Sequence, residues 1–469
     1  MPSFIPHKTP MPTLSPATCS LKHENLCATA YCCRCALLFL SESRRLSFGI
    51  LFPPSRLLLR LTSRSPFRSA VPSFPTTIKR QKTMSSSEDL PLEVMVDILS
   101  RLPVKTIIQC KCVCKKWRDI ILDSYFADIQ LSRSPAGVMI HTNNKENYHY
   151  PKTGILRWTE VEDEHGHHHL HHDPVMSIDL DRSPIFHRSR VVPVGSVNGL
   201  LCLRQHGRKN DNIYICNPVT REYMILSRQK YYTEGVATNA YCFGFCSLTR
   251  EYKVVRLLEE KPTSESRPTL VEAQVYVLGT GQWRSIGHVP YRLTGSDAPF
   301  LNGQGHWIVH DNDSPEKIWA FNFDKETFDL FPSPPYEDVR ESQMYKTLGV
   351  LKGCLCQCES YDSNWTVWVM KEYGIKKSWH KEFVFAKESI TPDLDMDTSE
   401  PMKVIDGLKD GTIVMASYRD ALFVYCPRRK TIVEAEVYQY FFNAYAYCPS
   451  FYRLQNFENE IVDVFVRSK

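Results

Sequence analysis

The chain has 469 residues, which is too long for one compact core and favours two or three structural regions. Its hydrophobic fraction of 43% is ordinary for a globular protein, so we expect most of the length to fold. The net charge of +5 is unevenly spread, because residues 1–83 carry 12 Lys or Arg against Glu24 and Glu42, which leaves −5 for the rest of the chain and argues against a nucleic-acid partner for the folded part.

Cysteine usage and apolar runs indicate the compartment. The 17 cysteines are scattered along the chain and do not form the dense framework of a small secreted domain, and no signal peptide is evident. The longest apolar runs, such as 36–40 and 57–59, are cut by Arg or Ser well short of the roughly 20 residues that a membrane-spanning helix needs. We therefore expect reduced thiols, a cytoplasmic or nuclear location, and no membrane partner.

Residues 1–83 differ in composition from everything that follows. They are rich in Ser, Pro and Arg and nearly free of acid, which is typical of an organellar transit segment. Met84, however, begins the run Met-Ser-Ser-Ser-Glu-Asp-Leu-Pro, which suits the start of a first folded module. We expect residues 1–83 to be a disordered extension, with targeting to an organelle as the less favoured alternative. Cys32, Cys33 and Cys35 are weak evidence for zinc, since no second pair stands at zinc-finger spacing.

The most informative stretch runs from Asp89 to Phe126 and reads DLPLEVMVDILSRLPVKTIIQCKCVCKKWRDIILDSYF. Asp89 suits the N-cap of a helix that starts at Pro91, and apolar residues then recur at helical spacing as far as Leu102. Pro103 restricts the residue before it, so the first helix should end near Leu102. About 40 residues bury too little surface to be comfortably stable alone, which predicts a module that completes itself against another protein.

This stretch resembles an F-box, and the expected module spans 84–130. The alternative, an ordinary helical hairpin with a core tryptophan, explains less of the 38-residue match. The resemblance implies a three-helix bundle that docks on a Skp-type adaptor and, through it, on a cullin scaffold. Carried over by position, it marks seven contact or contact-supporting residues, which are Leu90, Pro91, Leu102, Pro103, Val113, Cys114 and Trp117.

From about Ala136 the pattern changes to short alternating strands punctuated by Gly, Pro, Asn and Asp. Glycines that precede strands recur at near-constant spacing, since Gly303 and Gly353 are 50 residues apart and Gly199 and Gly303 are 104 apart, or two units of 52. A period near 50 built from about four strands predicts a β-propeller of about six blades over 136–466, with seven as the alternative. The six expected units are 136–182, 191–226, 241–287, 298–335, 345–387 and 402–440, with 445–466 left to close the ring.

The strand-rich region resembles the F-box-associated domain of the large plant F-box family. The likeness rests on Val-Asn-Gly-Leu-Leu-Cys-Leu at 197–203, Asn-Pro-Val-Thr-Arg-Glu-Tyr at 217–223, Phe-Gly-Phe at 243–245 and Glu-Tyr-Lys-Val-Val-Arg-Leu at 251–257. The region departs from ordinary kelch repeats because it has no Gly-Gly doublet. The fold class expected for the whole chain is mainly β with a small all-α module.

Three tempting constellations do not predict an active or metal site. Six histidines crowd into 165–172 between acidic residues, which could capture a transition metal, but a low-complexity run of this kind is better explained as a flexible polar loop. Cys354, Cys356 and Cys358 follow the period of one strand, and Cys110, Cys112 and Cys114 fit as small packing residues. No motif for a catalytic or nucleotide site is present, so we expect no metal, no cofactor and no catalysis.

These patterns predict a non-catalytic adaptor. The F-box would recruit the scaffold of an SCF-type ubiquitin ligase, and loops at one rim of the propeller would bind an unidentified target protein. The alternative is a metal-binding or catalytic propeller in which the F-box serves only as a regulatory handle. The residues that would contact the target are not identified by the sequence.

Overall fold

A computed structural model describes residues 90–135, 137–142, 154–164, 167–180, 183–186, 190–206, 212–226, 236–260, 271–289, 298–311, 314–335, 343–361, 363–386, 401–407, 411–417, 421–437 and 442–465. All of them belong to one compact unit, Leu90–Lys469. The expectations for residues 1–83 and for Asp89 as a helix cap lie outside the described residues.

The first part of this unit is helical. Pro91 and Pro103 each take the N-cap position of a helix, where extended backbone and the lack of an N–H cost nothing. The first helix ends at Ser100, two residues before the expected boundary, and the three expected helices are followed by a fourth. The helices are α1 (Leu92–Ser100), α2 (Val104–Cys110), α3 (Lys115–Ile121) and α4 (Ser124–Arg133).

The rest of the unit is a ring of six antiparallel sheets, which confirms the six-bladed propeller. Each sheet is one blade, and each of the six units expected from the sequence holds most of one sheet. The first three blades in chain order comprise β1 (Gly137–Thr142), β2 (Ile155–Glu164) and β3 (His167–Asp179); β4 (Arg190–Val197), β5 (Leu200–His206), β6 (Asn212–Asn217) and β7 (Glu222–Ile225); and β8 (Val236–Cys246), β9 (Glu251–Glu260), β10 (Val271–Val277) and β11 (Trp283–Val289).

The other three blades follow the same meander of four strands. They comprise β12 (Phe300–Leu301), β13 (Gln304–Asp311), β14 (Ser314–Asn322) and β15 (Thr327–Phe331); β16 (Gln343–Leu351), β17 (Cys354–Tyr361), β18 (Asn364–Met370) and β19 (Trp379–Ala386); and β20 (Met402–Gly407), β21 (Ile413–Ser417), β22 (Ala421–Cys426) and β23 (Thr431–Val437). Two further strands, β24 (Phe442–Tyr447) and β25 (Val462–Val464), join earlier blades.

The ring closes through its last long strand. β24 pairs antiparallel with β1, from Gly137 opposite Tyr447 to Thr142 opposite Phe442. It therefore supplies the innermost strand of the blade that β1 to β3 begin, which leaves no open edge between the first and last blades. β25 then adds a fifth strand to the outer edge of the second blade by pairing with β7.

The recurring glycines mark tight turns between the first two strands of a blade. Asn198 and Gly199 both have positive φ, of 50° and 77°, and Lys352 and Gly353 repeat this geometry with 50° and 75°. Two consecutive positive φ values are the signature of the two-residue hairpin turn that matches strand twist. This explains why a Gly stands just before a strand at regular intervals along the sequence.

Apolar clusters fill the spaces between neighbouring blades, and small residues line the axis. Residues of all six innermost strands, among them Gly195, Ala298, Gly349 and Ala444, surround an axial cavity of about 110 Å³. The innermost strands are therefore β4, β8, β12, β16, β20 and β24. Turns from the first to the second strand and from the third to the fourth strand lie at one end of the ring, which we call the near end.

Candidate functional site

The four helices enclose a small apolar core. Ile107, Ile121 and Phe126 are fully buried, and Leu99 and Val104 pack beside them. One ion-pair network fastens the first helix to the last, because Asp97 accepts hydrogen bonds from Arg101 of its own helix end and from Arg133 of α4 at 2.8 Å. These two guanidinium groups lower the pKa of Asp97.

Much apolar surface on this bundle remains in solvent. Leu90 is 50% exposed and Leu92 is 54% exposed, although Leu92 belongs to the apolar face whose residues recur at helical spacing as far as Leu102. Burial of such side chains against a partner is worth roughly 1.5–3 kcal/mol each. The large apolar side chains exposed on the helical module are Leu90, Leu92, Val94, Ile98, Val113 and Tyr125.

The seven residues expected to contact or support the adaptor divide by exposure. The exposed ones are Leu90, Pro91, Pro103 and Val113, and the half-buried ones are Leu102, Cys114 and Trp117. Leu102 and Trp117 pack against the core of the bundle, so these two residues support the exposed ones. Both proline corners are accessible to a partner.

Three exposed apolar residues were not identified from the sequence, namely Val94, Ile98 and Tyr125. Val94 and Ile98 stand four residues apart on the outward side of α1, so this helix is apolar on both sides. That second stripe was a signal available in the sequence. Tyr125 gave no such signal, since its exposure depends on how α4 packs.

Leu92 and Tyr125 flank an open groove of about 550 Å³ between α1, α3 and α4. Val96, Ile120 and Phe126 also line it. Charged residues of α3 and of the turn after it complete the lining, and these are Lys115, Lys116, Asp119 and Asp123. An apolar floor with a charged rim suits an apolar side chain or helix of a protein partner.

The bundle is packed against the propeller through the segment that follows β24. Phe126 of α4 meets Phe451 edge to face, with 5.9 Å between ring centroids. The Nζ atom of Lys111 lies 4.9 Å from the centre of the same Phe451 ring. Burial lowers the pKa of Lys111, and Arg453 acts in the same direction while Glu222 opposes it. The helical core and the first propeller core form one continuous apolar cluster.

Polar contacts reinforce this packing. The Tyr452 hydroxyl donates to the Asp128 carboxylate, which also pairs with Arg250 of the third blade at 3.3 Å. Gln130 donates its amide to the carbonyl of Pro449 at 3.4 Å. Burial, together with the nearby Asp128, raises the pKa of Tyr452. The helical module therefore contacts both the segment that follows β24 and the third blade.

The carboxy-terminal segment 448–465 is fastened to the second blade by buried polar groups. Asn217 donates to the carbonyls of Ser450 and Tyr452, at 3.1 and 2.7 Å. Glu222, which is also buried, accepts from the backbone of Leu454 at 2.7 Å and from the guanidinium of Arg453 at 3.3 Å. These contacts hold Phe451 where the helices reach it.

The contacts described above between the helices and the propeller lie at the near end. Arg250 belongs to the turn between β8 and β9, and the segment after Tyr447 leaves β24 at the same end. The segments that connect consecutive blades join strand ends at the other end. One end of the ring is therefore partly covered by the helical module.

Residues 167–172 of the histidine tract lie in strand β3, which corrects the expected flexible loop for this part of the tract. Glu160, Glu162 and Glu164 of β2 stand opposite His171, His169 and His167 of β3 in the antiparallel ladder. The side chains of residues 160–176 lie outside the described parts of the structure. Among the side chains that are described, no group of three or more His, Cys, Asp or Glu could hold a metal ion.

The described cysteines are free thiols. Burial raises the pKa of the Cys358 thiol to about 12 and that of Cys110 to about 11, so these groups are packing residues and not nucleophiles. None of the helices that the structure describes is long and apolar enough to cross a membrane.

Comparison with known families follows the same division of the chain. Residues 168–454 match the F-box associated beta propeller domain, and residues 87–127 match an F-box-like model. The first match covers more than half of the chain. The protein belongs to the F-box-associated β-propeller family. The resemblance expected from the sequence to a plant F-box protein with this domain is confirmed.

Relatives in this family come from Arabidopsis thaliana. The chain is 28% identical over 365 residues to F-box/kelch-repeat protein At3g23880, covering 73% of this chain and 89% of the relative. It is 25% identical over 379 residues to F-box protein At3g07870, covering 73% and 86%. Among solved structures, TolB from Acinetobacter baumannii shares 12% identity over 71% of this chain and 73% of TolB, with a TM-score of 0.37.

Proposed function

We propose that this protein is the substrate-recognition subunit of an SCF-type cullin–RING ubiquitin ligase. The F-box, residues 84–130, docks a Skp-type adaptor that connects to the cullin, and the propeller, residues 136–466, binds a target protein. The observation that carries the proposal is the exposed apolar surface of α1, with Pro91 and Pro103 accessible, on a bundle whose own core is already full.

The chain would act by raising effective concentration. Holding the target and a charged conjugating enzyme on one frame makes their encounter intramolecular, so the chain itself needs no catalytic group. The F-box relatives are consistent with a non-catalytic role. The proposed location is the cytoplasm or nucleus, where cullin ligases work. The metal-binding or catalytic alternative is not favoured by the family matches.

The apolar stripe of α1 gives a sharp test of adaptor docking. Val94→Asp and Ile98→Asp place a carboxylate where a partner must exclude water, and we expect each to abolish recovery of recombinant Skp-type adaptor in a pull-down. The double variant Leu102→Ala/Pro103→Ala tests the Leu-Pro pair expected to contact the adaptor, and it should also reduce recovery. Val384→Asp is the matched control, because Val384 is an exposed valine on the propeller strand β19. Full recovery with all three F-box variants would contradict the proposal.

A further inference from the structure

Two neighbouring blades concentrate positive charge at the near end. The turns concerned join β16 to β17, β18 to β19 and β22 to β23, and topology places all three at the same end of the ring. Their described residues include one acidic residue, Glu372, which is exposed. The basic residues of these turns, here called the basic rim, are Lys352, Lys371, Lys376, Lys377, Arg428, Arg429 and Lys430.

The two blades that carry the basic rim pack against each other. Phe383 in the middle of β19 and Tyr425 of β22 lie with 5.3 Å between ring centroids, within one apolar cluster. The backbone amide of Lys352 donates to the carboxylate of Asp406 on β20 of the neighbouring blade. The three turns therefore lie at the same end of two blades that pack against each other.

Five charged side chains of the basic rim are available to a partner. Lys352, Lys376, Lys377, Arg428 and Lys430 are exposed, and no carboxylate among the described residues pairs with any of them. Lys371 pairs with Glu382 at 2.7 Å, which leaves the rim with a clear positive excess. Ile375 lies between the lysines and is 51% exposed, so the surface has an apolar anchor as well as charge.

This charge contrasts with the rest of the folded chain. The net charge of residues 84–469 is −5, because the whole chain has a net charge of +5 and residues 1–83 alone have +10. The near-end turns of the second, third and fourth blades carry Arg221, Arg250 and Lys325 among their described residues, and Arg250 is already paired with Asp128. A segregated positive surface on an acidic body steers acidic partners to one place.

We propose that the basic rim is the docking surface for an acidic segment of the target protein, a stretch rich in Asp and Glu that also offers an apolar residue to Ile375. This inference rests on the proposed function and names the class of target. Carboxylates fit the spaced Lys and Arg side chains as short-range ion pairs, and the affinity falls as salt screens them.

The probe is a fluorescein-labelled peptide of alternating Glu and Gly with a central Leu, measured by fluorescence anisotropy against the full chain. We expect binding that weakens with salt, and none for the same peptide with Gln in place of Glu. Lys376→Glu/Lys377→Glu and, on the neighbouring blade, Arg428→Gln/Arg429→Gln should each weaken binding by about tenfold or more. The altered side chains are in solvent, so circular dichroism and thermal unfolding should match the wild type.

Lys105→Glu/Arg118→Glu is the matched control for Lys376→Glu/Lys377→Glu, because it makes the same change in net charge on exposed F-box residues. Unchanged binding by the rim variants, or equal weakening by the control, overturns the inference. Tighter binding of single-stranded oligothymidylate that displaces the peptide also overturns it, since the rim would then be a nucleic-acid surface. Adaptor pull-down with the rim variants separates this inference from the proposed function, because recovery of adaptor is expected to stay complete.

Discussion

Phe126 of the F-box and Phe451 of the carboxy-terminal segment pack edge to face across the boundary between the two modules, with their ring planes at 71°. Both rings are buried, at 0% and 2% exposure. The segment that closes the propeller therefore also seats the F-box. This packing holds the helical module and the propeller in a fixed relative orientation, which under the proposed function would fix the adaptor relative to the target.

Phe451→Ala should destabilise the junction. Truncation of a buried phenylalanine lowers the free energy of unfolding by about 3–5 kcal/mol, and Phe126 would lose the ring against which it packs. We expect limited proteolysis to cleave α1 to α4 faster than in the wild type, with the cleavage sites identified by mass spectrometry. Phe457→Ala is the control, because Phe457 packs against Tyr252 within the propeller and not against the helices. Equal protection of the helices in both variants would mean that Phe451 does not seat the F-box.

Arg250→Ala should matter much less. Its ion pair with Asp128 spans the same boundary, but the Arg250 side chain is 70% exposed, and exposed pairs contribute below about 1 kcal/mol. We expect a small decrease in the denaturant midpoint relative to the wild type. This difference should vanish at high salt, because salt also screens the ion pair in the wild type. A loss as large as that of Phe451→Ala would reverse our ranking of packing above charge at this boundary.

Gly199→Ala and Gly353→Ala separate backbone strain from crowding. Both glycines have φ near +75° in equivalent turns, so each substitution carries the left-handed cost of about 1–2 kcal/mol. A Cβ at Gly199 would also lie 2.8 Å from the carbonyl oxygen of Cys448 and closer still to the Ser450 side chain, whereas the space at Gly353 is open. Urea unfolding should therefore show a larger decrease in the free energy of unfolding for Gly199→Ala than for Gly353→Ala. Equal decreases would mean that the segment containing Cys448 and Ser450 shifts to make room for the added Cβ.

Acid should weaken the fold through His306. This ring is fully buried between the Pro299 carbonyl, 3.2 Å from Nδ1, and the Tyr373 hydroxyl, 2.8 Å from Nε2. Burial lowers its pKa to about 4 from 6.5, so the unfolded chain binds the proton more readily. The stability is fully present above about pH 6.5 and is lost as the pH falls towards 4, by about 2 kcal/mol at pH 5.

Comparison of urea unfolding at neutral pH and near pH 5 tests this, with His306→Gln as the partner variant. The variant is less stable at neutral pH but should lose less stability on acidification than the wild type does. An identical loss in both proteins would assign the acid sensitivity to other groups.

The spacing of glycines and the landmarks around Pro91, Pro103 and Trp117 were enough to predict the F-box and the six blades. These features are local: a two-residue turn with positive φ favours Gly at its second position wherever it occurs, and a proline sets a helix boundary whatever surrounds it. The same reasoning misplaced Leu92, because a helix that is apolar on both sides does not reveal which side the core will take.

The sequence by itself determined the elements, their order and the family, since each follows from backbone preferences repeated along the chain. Only the tertiary structure decided which apolar residues stay in solvent, that the chain end around Phe451 seats the F-box, and that the lysines and arginines of separate turns meet in one rim. Those relationships join residues tens to hundreds of positions apart. They depend on how the blades close into a ring, and no local pattern records that closure.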